Sequence, residues 1–309
     1  MISCTEFIPV YSELFKYLED KGGHDEVVRY WEYISDTYVA DLLGTEVAGK
    51  GIRGCWDYWS KSLNEEACDF RMEMDEKEGT FSIDMRYCPS RGRLNAYEHM
   101  EPYYDYCGHC ALLYARQLEK YGIFSEVFDM SNVDKAQCYE RYRINPEFIP
   151  ADCKGEKLVM DVKAADNEYF HRDFHISGER GLRYVGEKYG DADVVAYLTQ
   201  FTKAYYSPLI AKIKENGLAA MKAHIEEIYA VEKALENVKC TLTDNELHVT
   251  VTECPGVKYM KESGYEPSKW YIEDTRTVNA VIAEESGYGF ELISYNAENG
   301  AAEYRFFVK

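Results

Sequence analysis

Positive charge is scarce in this 309-residue sequence: 35 lysines and arginines stand against 55 aspartates and glutamates, a formal charge of −20. No Lys/Arg cluster interrupts that excess. Such a surface repels a phosphate backbone rather than gathering it, so nucleic acid is not an expected partner. Also lacking is any uncharged run approaching the roughly 18–20 residues that a membrane span needs. The first twenty residues hold no apolar leader, because Glu6, Glu13, Lys16, Glu19 and Asp20 fall within them. There is no low-complexity tract. Ten cysteines without a leader read as reduced thiols rather than a disulfide framework, and a cytoplasmic location is expected. What is abundant is tyrosine, at 28 residues, which suits either half-buried packing or a ring-lined pocket. A hydrophobic content of 46% is ample for two cores. These numbers fit a small-molecule enzyme or a ligand-binding protein equally, and they admit a homodimer.

The chain repeats itself. A shift of 167 places Phe7 on Phe174, Tyr17 on Tyr184, Val27 on Val194, Tyr38 on Tyr205 and Leu42 on Leu209. A shift of 166 places Cys88-Pro89 on Cys254-Pro255, and a shift of 165 places Tyr106 on Tyr271, Gly122 on Gly287 and Tyr139 on Tyr304. A register that drifts by two residues over half a chain indicates a duplicated domain, not a solenoid of short repeats. The expected organisation is a first copy over 1–144, a linker over 145–167 marked by Pro146, Pro150 and Gly155, and a second copy over 168–309.

Each copy opens with helical periodicity, over 9–21 and 25–43 in the first and 191–213 in the second, with Gly22-Gly23 and Gly190 as stops. A further helix is expected after Gly51 and after Gly217. The period then changes to two: Phe81, Ile83 and Met85 alternate with polar residues, as do Leu247, Val249 and Val251, and each strand ends at Cys-Pro. A helix is expected over 108–120 and 275–286. Closing strand pairs are expected over 125–130 with 138–144, and 290–295 with 303–308. The fold class is therefore α+β: two tandem copies of a helical pair followed by an antiparallel sheet with a packed helix, related by a pseudo-twofold.

Two constellations could carry chemistry, and each occurs in one copy only. The first is Cys107-Gly108-His109-Cys110 at a helix start, with Cys88 and Cys138 able to converge on it. It can be read as a zinc site using Cys107, His109, Cys110, Cys88 and Cys138, as a catalytic or redox thiol activated by the helix N-terminus, or as inert cysteines. The tetrapeptide matches that of protein disulfide isomerases, but the lead-in Glu98–Tyr106 is polar and contains Pro102, where a thioredoxin fold needs a buried strand. The second constellation is Glu168, His171, Asp173, His175 and Glu179. If helical, His171 and His175 share one face and look into the same cleft as His109; otherwise the segment is a polar helix start. The first copy has Cys4, Glu6 and Ile8 at the places of His171, Asp173 and His175. Arg180 and Arg183 could anchor a substrate carboxylate, with Asp173 nearby, or lie on a solvated face. Gly44 to Lys50 imitates a phosphate loop. Gly51 stands where Ser or Thr should hold magnesium and no strand precedes it, so no nucleotide cofactor is expected.

The order of helices, a strand ending in Cys88-Pro89, the helix-start Cys107 and a terminal hairpin, with Cys254-Pro255 in the second copy, resembles the L-2-amino-thiazoline-4-carboxylic acid hydrolase-like family over about 80–144 and 245–309. It is also similar in outline to the vinyl-reductase-type small-molecule-binding domains, which share a Cys-Pro strand end and often bind zinc through later cysteines. The hydrolase resemblance implies a small-molecule hydrolase acting on a carbon–nitrogen bond other than a peptide, with Cys107, His109, His171 and His175 as catalytic candidates. The family often has an acidic residue soon after the helix-start cysteine. Here His109 and Cys110 occupy that region, and Asp274 lies in the matching region of the second copy. The alternatives are a non-catalytic small-molecule sensor with a structural zinc and, after that, a thiol–disulfide oxidoreductase.

Overall fold

The computed structural model of the chain describes residues 1–309. The first half runs α1 (Phe7–Gly22), α2 (His24–Ile34), a π-helical stretch (Ser35–Gly44), the single turn α3 (Thr45–Val47) and α4 (Ile52–Glu65). It continues with β1 (Asp69–Asp75), β2 (Thr80–Tyr87), α5 (Pro89–Ala96), α6 (Gly108–Leu118), β3 (Ile123–Asn132) and β4 (Gln137–Ile144), followed by β5 (Lys157–Val162). The second half runs α7 (Phe174–Tyr189), α8 (Asp191–Tyr205), α9 (Ser207–Asn216), α10 (Leu218–Val231), β6 (Val238–Leu242) and β7 (Glu246–Val251). It closes with α11 (Pro255–Glu262), α12 (Glu273–Ser286), β8 (Tyr288–Tyr295) and β9 (Ala302–Val308). The α+β class expected from the sequence is what the chain adopts. No helix is long and apolar enough to cross a membrane.

Both sheets are antiparallel and repeat one strand order. The first is β3-β4-β2-β1-β5 and the second, read from its other edge, is β8-β9-β7-β6. The period-two segments lie where alternation puts them: Phe81, Ile83 and Met85 face a core from β2, and Leu247, Val249 and Val251 from β7. In the first half α4 covers the sheet, and its Trp59 stacks on Phe81 with ring centroids 5.3 Å apart. Each fully buried aromatic or branched aliphatic side chain of this kind contributes about 1.5–3 kcal/mol.

Two expectations need correction, and one strand was not expected. The helix expected over 191–213 is two helices, because Pro208 lacks the N–H that an uninterrupted helix needs, and α9 starts afresh with it in the first turn. The span 145–167 is more than a linker. It supplies β5, which pairs antiparallel with β1 from Phe70↔Val162 to Asp75↔Lys157. β1 itself buries Phe70, Met72 and Met74, the same period-two pattern, hidden in sequence by its glutamate and methionine content.

In space the chain forms two compact units whose limits are not those of the sequence repeat. One unit comprises Met1–Tyr17, His99–Glu101 and Arg172–Lys309, and the other Leu18–Glu98 and Pro102–His171. The opening residues therefore pack with the second sheet. Within that unit Phe7 stacks on Phe174, its match at the shift of 167, with centroids 4.5 Å apart.

Candidate functional site

The tightest group of chemistry-bearing side chains comes from three separated segments of the unit that holds the second sheet. Cys4 opens a single 3₁₀ turn (Cys4–Glu6) held by a capping box, in which Ser3 Oγ accepts from Thr5 N and Glu6 accepts from Ser3 N. Glu232 ends α10. His175 lies in the first turn of α7. Ligand atoms of Cys4, His175 and Glu232 all lie within 4.8 Å of one another, and no other group of three or more Cys, His, Asp or Glu side chains comes this close. All three are buried, at 1%, 5% and 6% exposure respectively.

Glu232 organises the group. Its Oε1 accepts from Ser3 Oγ and from Cys4 N, both at 2.7 Å, and its Oε2 lies 3.1 Å from His175 Nε2. Burial alone would raise this carboxyl. The charge and hydrogen bond of His175, with the bonds from Ser3 and Cys4, outweigh burial and hold it at about 2. The Cys4 thiol moves the opposite way, pushed well up by burial and then by the Glu232 carboxylate, so it is a protonated thiol rather than a ready nucleophile.

Beside His175 is a cavity of about 30 Å³, bounded by Ser3, Tyr271 and Asp274 and walled by Phe7 and Phe174. It has room for about one or two waters. Asp274, in the first turn of α12, accepts from Ile2 N at 3.2 Å through Oδ2, while its Oδ1 is buried without a partner. Burial raises its carboxyl. Tyr271 Oη is also buried without a partner. Gly256, just after Cys254-Pro255, makes the approach possible: a Cβ there would stand 2.5 Å from Tyr271 Oη and 2.9 Å from His175 Nδ1. Here glycine is needed for space, since its backbone is helical.

The residues singled out from sequence are distributed differently from expectation. His171 precedes α7 instead of sharing its face with His175, and its Nδ1 pairs with Glu65 at 2.8 Å. The two imidazoles thus serve different carboxylates, and the expected i, i+4 face does not form. His109, His171 and His175 are all buried, at 9%, 8% and 5% exposure, so none opens on a solvent-filled cleft. His109 bonds the Tyr106 carbonyl through Nδ1, has Cys110 Sγ 3.3 Å from Nε2, and is held down at about 4 by burial. Cys107 caps α6, as expected from the sequence. Cys88 caps α5, and its Sγ accepts from Arg91 N at 3.5 Å. Cys138 lies on β4 opposite Met85. Burial raises the thiols of Cys107, Cys110 and Cys138 and pushes Cys88 up to about 12. These thiols are neighbours, yet no three of them, with or without His109, bring ligand atoms within 4.8 Å.

Asp173 accepts from Tyr259 Oη. Arg183 donates to the Glu266 carbonyl at 2.6 Å and lies 3.5 Å from Glu179, while Arg180 lies over the Tyr265 ring. Both guanidiniums engage protein groups. The Gly44–Lys50 segment borders a cavity of about 240 Å³ in the other unit, but Lys50 pairs there with Glu46 and Asp57, and Arg53 with Glu76 and Glu156.

Sequence reasoning missed Cys4, Glu232 and Tyr271. Cys4 lies more than 220 residues from Glu232 and Tyr271, and the latter two sit in different elements, so no spacing signal links them. A hint was present at Cys4, which stands where the second half has His171. No family model, curated protein or solved structure was found to match this chain.

Proposed function

We propose that this chain is a small-molecule hydrolase acting on a carbon–nitrogen bond outside the peptide series, the chemistry implied by its resemblance to L-2-amino-thiazoline-4-carboxylic acid hydrolase-like proteins. The observation that supports an enzyme is the pair of buried polar atoms without partners, Asp274 Oδ1 and Tyr271 Oη, at a water-sized cavity beside His175. An unmade bond of this kind costs about 1–3 kcal/mol, a cost that a bound water or substrate atom removes. Hydrolysis needs a group to take a proton from water and a group to give one to the leaving nitrogen. Water adds to the carbon, the carbon–nitrogen bond breaks, and the proton ends on nitrogen. His175, oriented by Glu232 through Nε2, and Asp274 are the pair for that exchange, with Tyr271 Oη as a donor to the oxygen that develops charge. Cys107 and His109 have no part in it.

A second reading is a non-catalytic small-molecule sensor. The burial of His175 supports it. Turnover distinguishes the two. The purified chain is assayed against thiazoline carboxylates, cyclic amidines and simple amides, with Asp274→Asn alongside. The hydrolase requires turnover by the wild type and a loss of about 10²–10⁴-fold in kcat for the folded variant. Saturable ligand binding without turnover establishes the sensor and removes the hydrolase.

A further inference from the structure

We infer that Cys4 Sγ, His175 Nε2 and the Glu232 carboxylate bind one divalent transition-metal ion of the zinc class, leaving one coordination position for water. This deepens the hydrolase proposal by changing one role, since a metal-bound His175 would be a ligand and Asp274 would be left as the group that exchanges protons; it rests on that proposal only for what the ion would do, because binding can be measured without turnover.

The donor set selects the metal. A thiol, an imidazole and a carboxylate suit a borderline-soft ion and do not suit magnesium or calcium, which take oxygen ligands. Three protein ligands and one open position are the arrangement of catalytic rather than structural zinc. Spacing agrees as well. Bonds of about 2.0–2.1 Å to nitrogen or oxygen at tetrahedral angles put such ligand atoms about 3.3 Å apart. His175 Nε2 and Glu232 Oε2 are 3.1 Å apart, and all three donors fall within 4.8 Å. The ion would replace the proton shared by imidazole and carboxylate, and the Cys4 thiol would be deprotonated as it binds, both protons being released to solvent.

The surroundings supply the rest. Oε1 of Glu232 is taken by Ser3 Oγ and Cys4 N, which fixes the carboxylate and leaves Oε2 as the atom for the metal. Ligands held by such secondary bonds are typical of metal sites. No lysine or arginine forms an ion pair with Glu232. The neighbouring cavity touches His175 and Ser3, though neither Cys4 nor Glu232, and Asp274 and Tyr271, each with an unpartnered buried polar atom, line it. The repeat shows that the fold does not require this trio. The matched positions, at shifts of 167, 167 and 166, carry His171, Ile8 and Glu66, which form no such group.

The test uses the full, untagged chain, stripped with a chelator and titrated with Zn²⁺ by calorimetry and with Co²⁺ by absorption. Expected are one ion per chain, a dissociation constant below about 1 µM, and a thiolate-to-cobalt charge-transfer band. Cys4→Ser abolishes the band, Cys4→Ser and Glu232→Gln each weaken binding by at least about 100-fold, and Cys107→Ser changes neither. Circular dichroism establishes that each variant is folded. If Cys4→Ser does not fold, His175→Gln and Glu232→Gln carry the comparison. The inference is overturned if the stripped wild type takes up no stoichiometric ion. It is also overturned if binding survives the Cys4, His175 and Glu232 variants or is lost in Cys107→Ser, which would move the ion to the thiols of the other unit. Turnover without bound metal removes the metal and keeps the hydrolase. Stoichiometric metal without turnover does the reverse.

Discussion

The two Cys-Pro steps have nearly the same backbone and different surroundings. Cys88 has φ −80° and ψ 119°, and Cys254 has φ −83° and ψ 121°. Cys88 follows directly on β2 and Cys254 comes three residues after the end of β7, and each starts a short helix. After Cys88-Pro89 comes Ser90; after Cys254-Pro255 comes Gly256. The missing Cβ at 256 lets His175 and Tyr271 close on that point and leaves the small cavity behind them. In the first half the residues matching Tyr271 and Asp274 are Tyr106 and His109, and His109 is satisfied locally by the Tyr106 carbonyl and Cys110. The matching acids differ likewise. Glu232 collects bonds from three residues, while burial raises Glu66, whose side chain makes no hydrogen bond. The second Cys-Pro step thus stands beside a linked group of polar side chains, whereas beside the first His109 is satisfied locally and the Glu66 side chain makes no bond.

The largest expected effect tests the acids. Glu232→Ala removes the common acceptor of Ser3, Cys4 and His175, and is expected to cost about 3–5 kcal/mol in urea unfolding. Glu66→Gln at the matched position gives up no bond and is expected to change stability by less than about 1 kcal/mol. Equal losses at both positions would break the comparison.

Next comes the glycine. Gly256→Ala puts a methyl group against Tyr271 and His175 and is expected to cost about 1–3 kcal/mol, whereas Ser90→Ala stays within about 0.5 kcal/mol. A neutral Gly256→Ala would mean that the ring positions yield easily and that the cavity is not fixed by this contact.

A pH profile probes the unit with the first sheet. Burial raises Glu140 to about 7, against the opposing bond from Tyr142 Oη. The folded state therefore holds this proton more tightly than the unfolded chain does. The resulting stabilisation is complete below pH 4.5 and is lost as pH rises to about 7. One such group changes stability by at most about 1.4 kcal/mol per pH unit. Burial raises Glu6 in the other unit to about 7 as well, so Glu140→Gln is expected to reduce that decline by its own share, measured as the urea midpoint at several pH values. An unchanged slope would show that Glu140 does not cause it.

The smallest effect concerns the cysteines themselves. Cys88 Sγ already accepts from Arg91 N, and serine is a better cap, so Cys88→Ser is expected to gain a few tenths of a kcal/mol. Cys254 makes no cap bond and is 5% exposed, so Cys254→Ser is expected to cost about 1 kcal/mol in the same unfolding assay. Opposite signs would sharpen the contrast between the two steps.

The sequence by itself determined the α+β class, most of the longer helices, the alternating strands β2 and β7, the closing strand pairs and the helix starting at Cys107, though not β1, β5, β6 or the short helices α5 and α11. These depend on local periodicity, on proline and glycine, and on a repeat register that a single chain displays. His175 was also within reach, as a residue that only one half has. Tertiary structure decided its partners. Cys4 meets His175 and Glu232 because the opening residues pack into the unit of the second sheet, and no local pattern records contacts between segments so far apart in sequence. His171 and His175 looked like one helical face, but the helix begins at Phe174 and hydrogen bonds draw the two rings to different acids. Their partners then set which buried carboxyl stays ionised and which burial raises. That depends on the groups surrounding each acid in three dimensions, and residue type alone does not contain it.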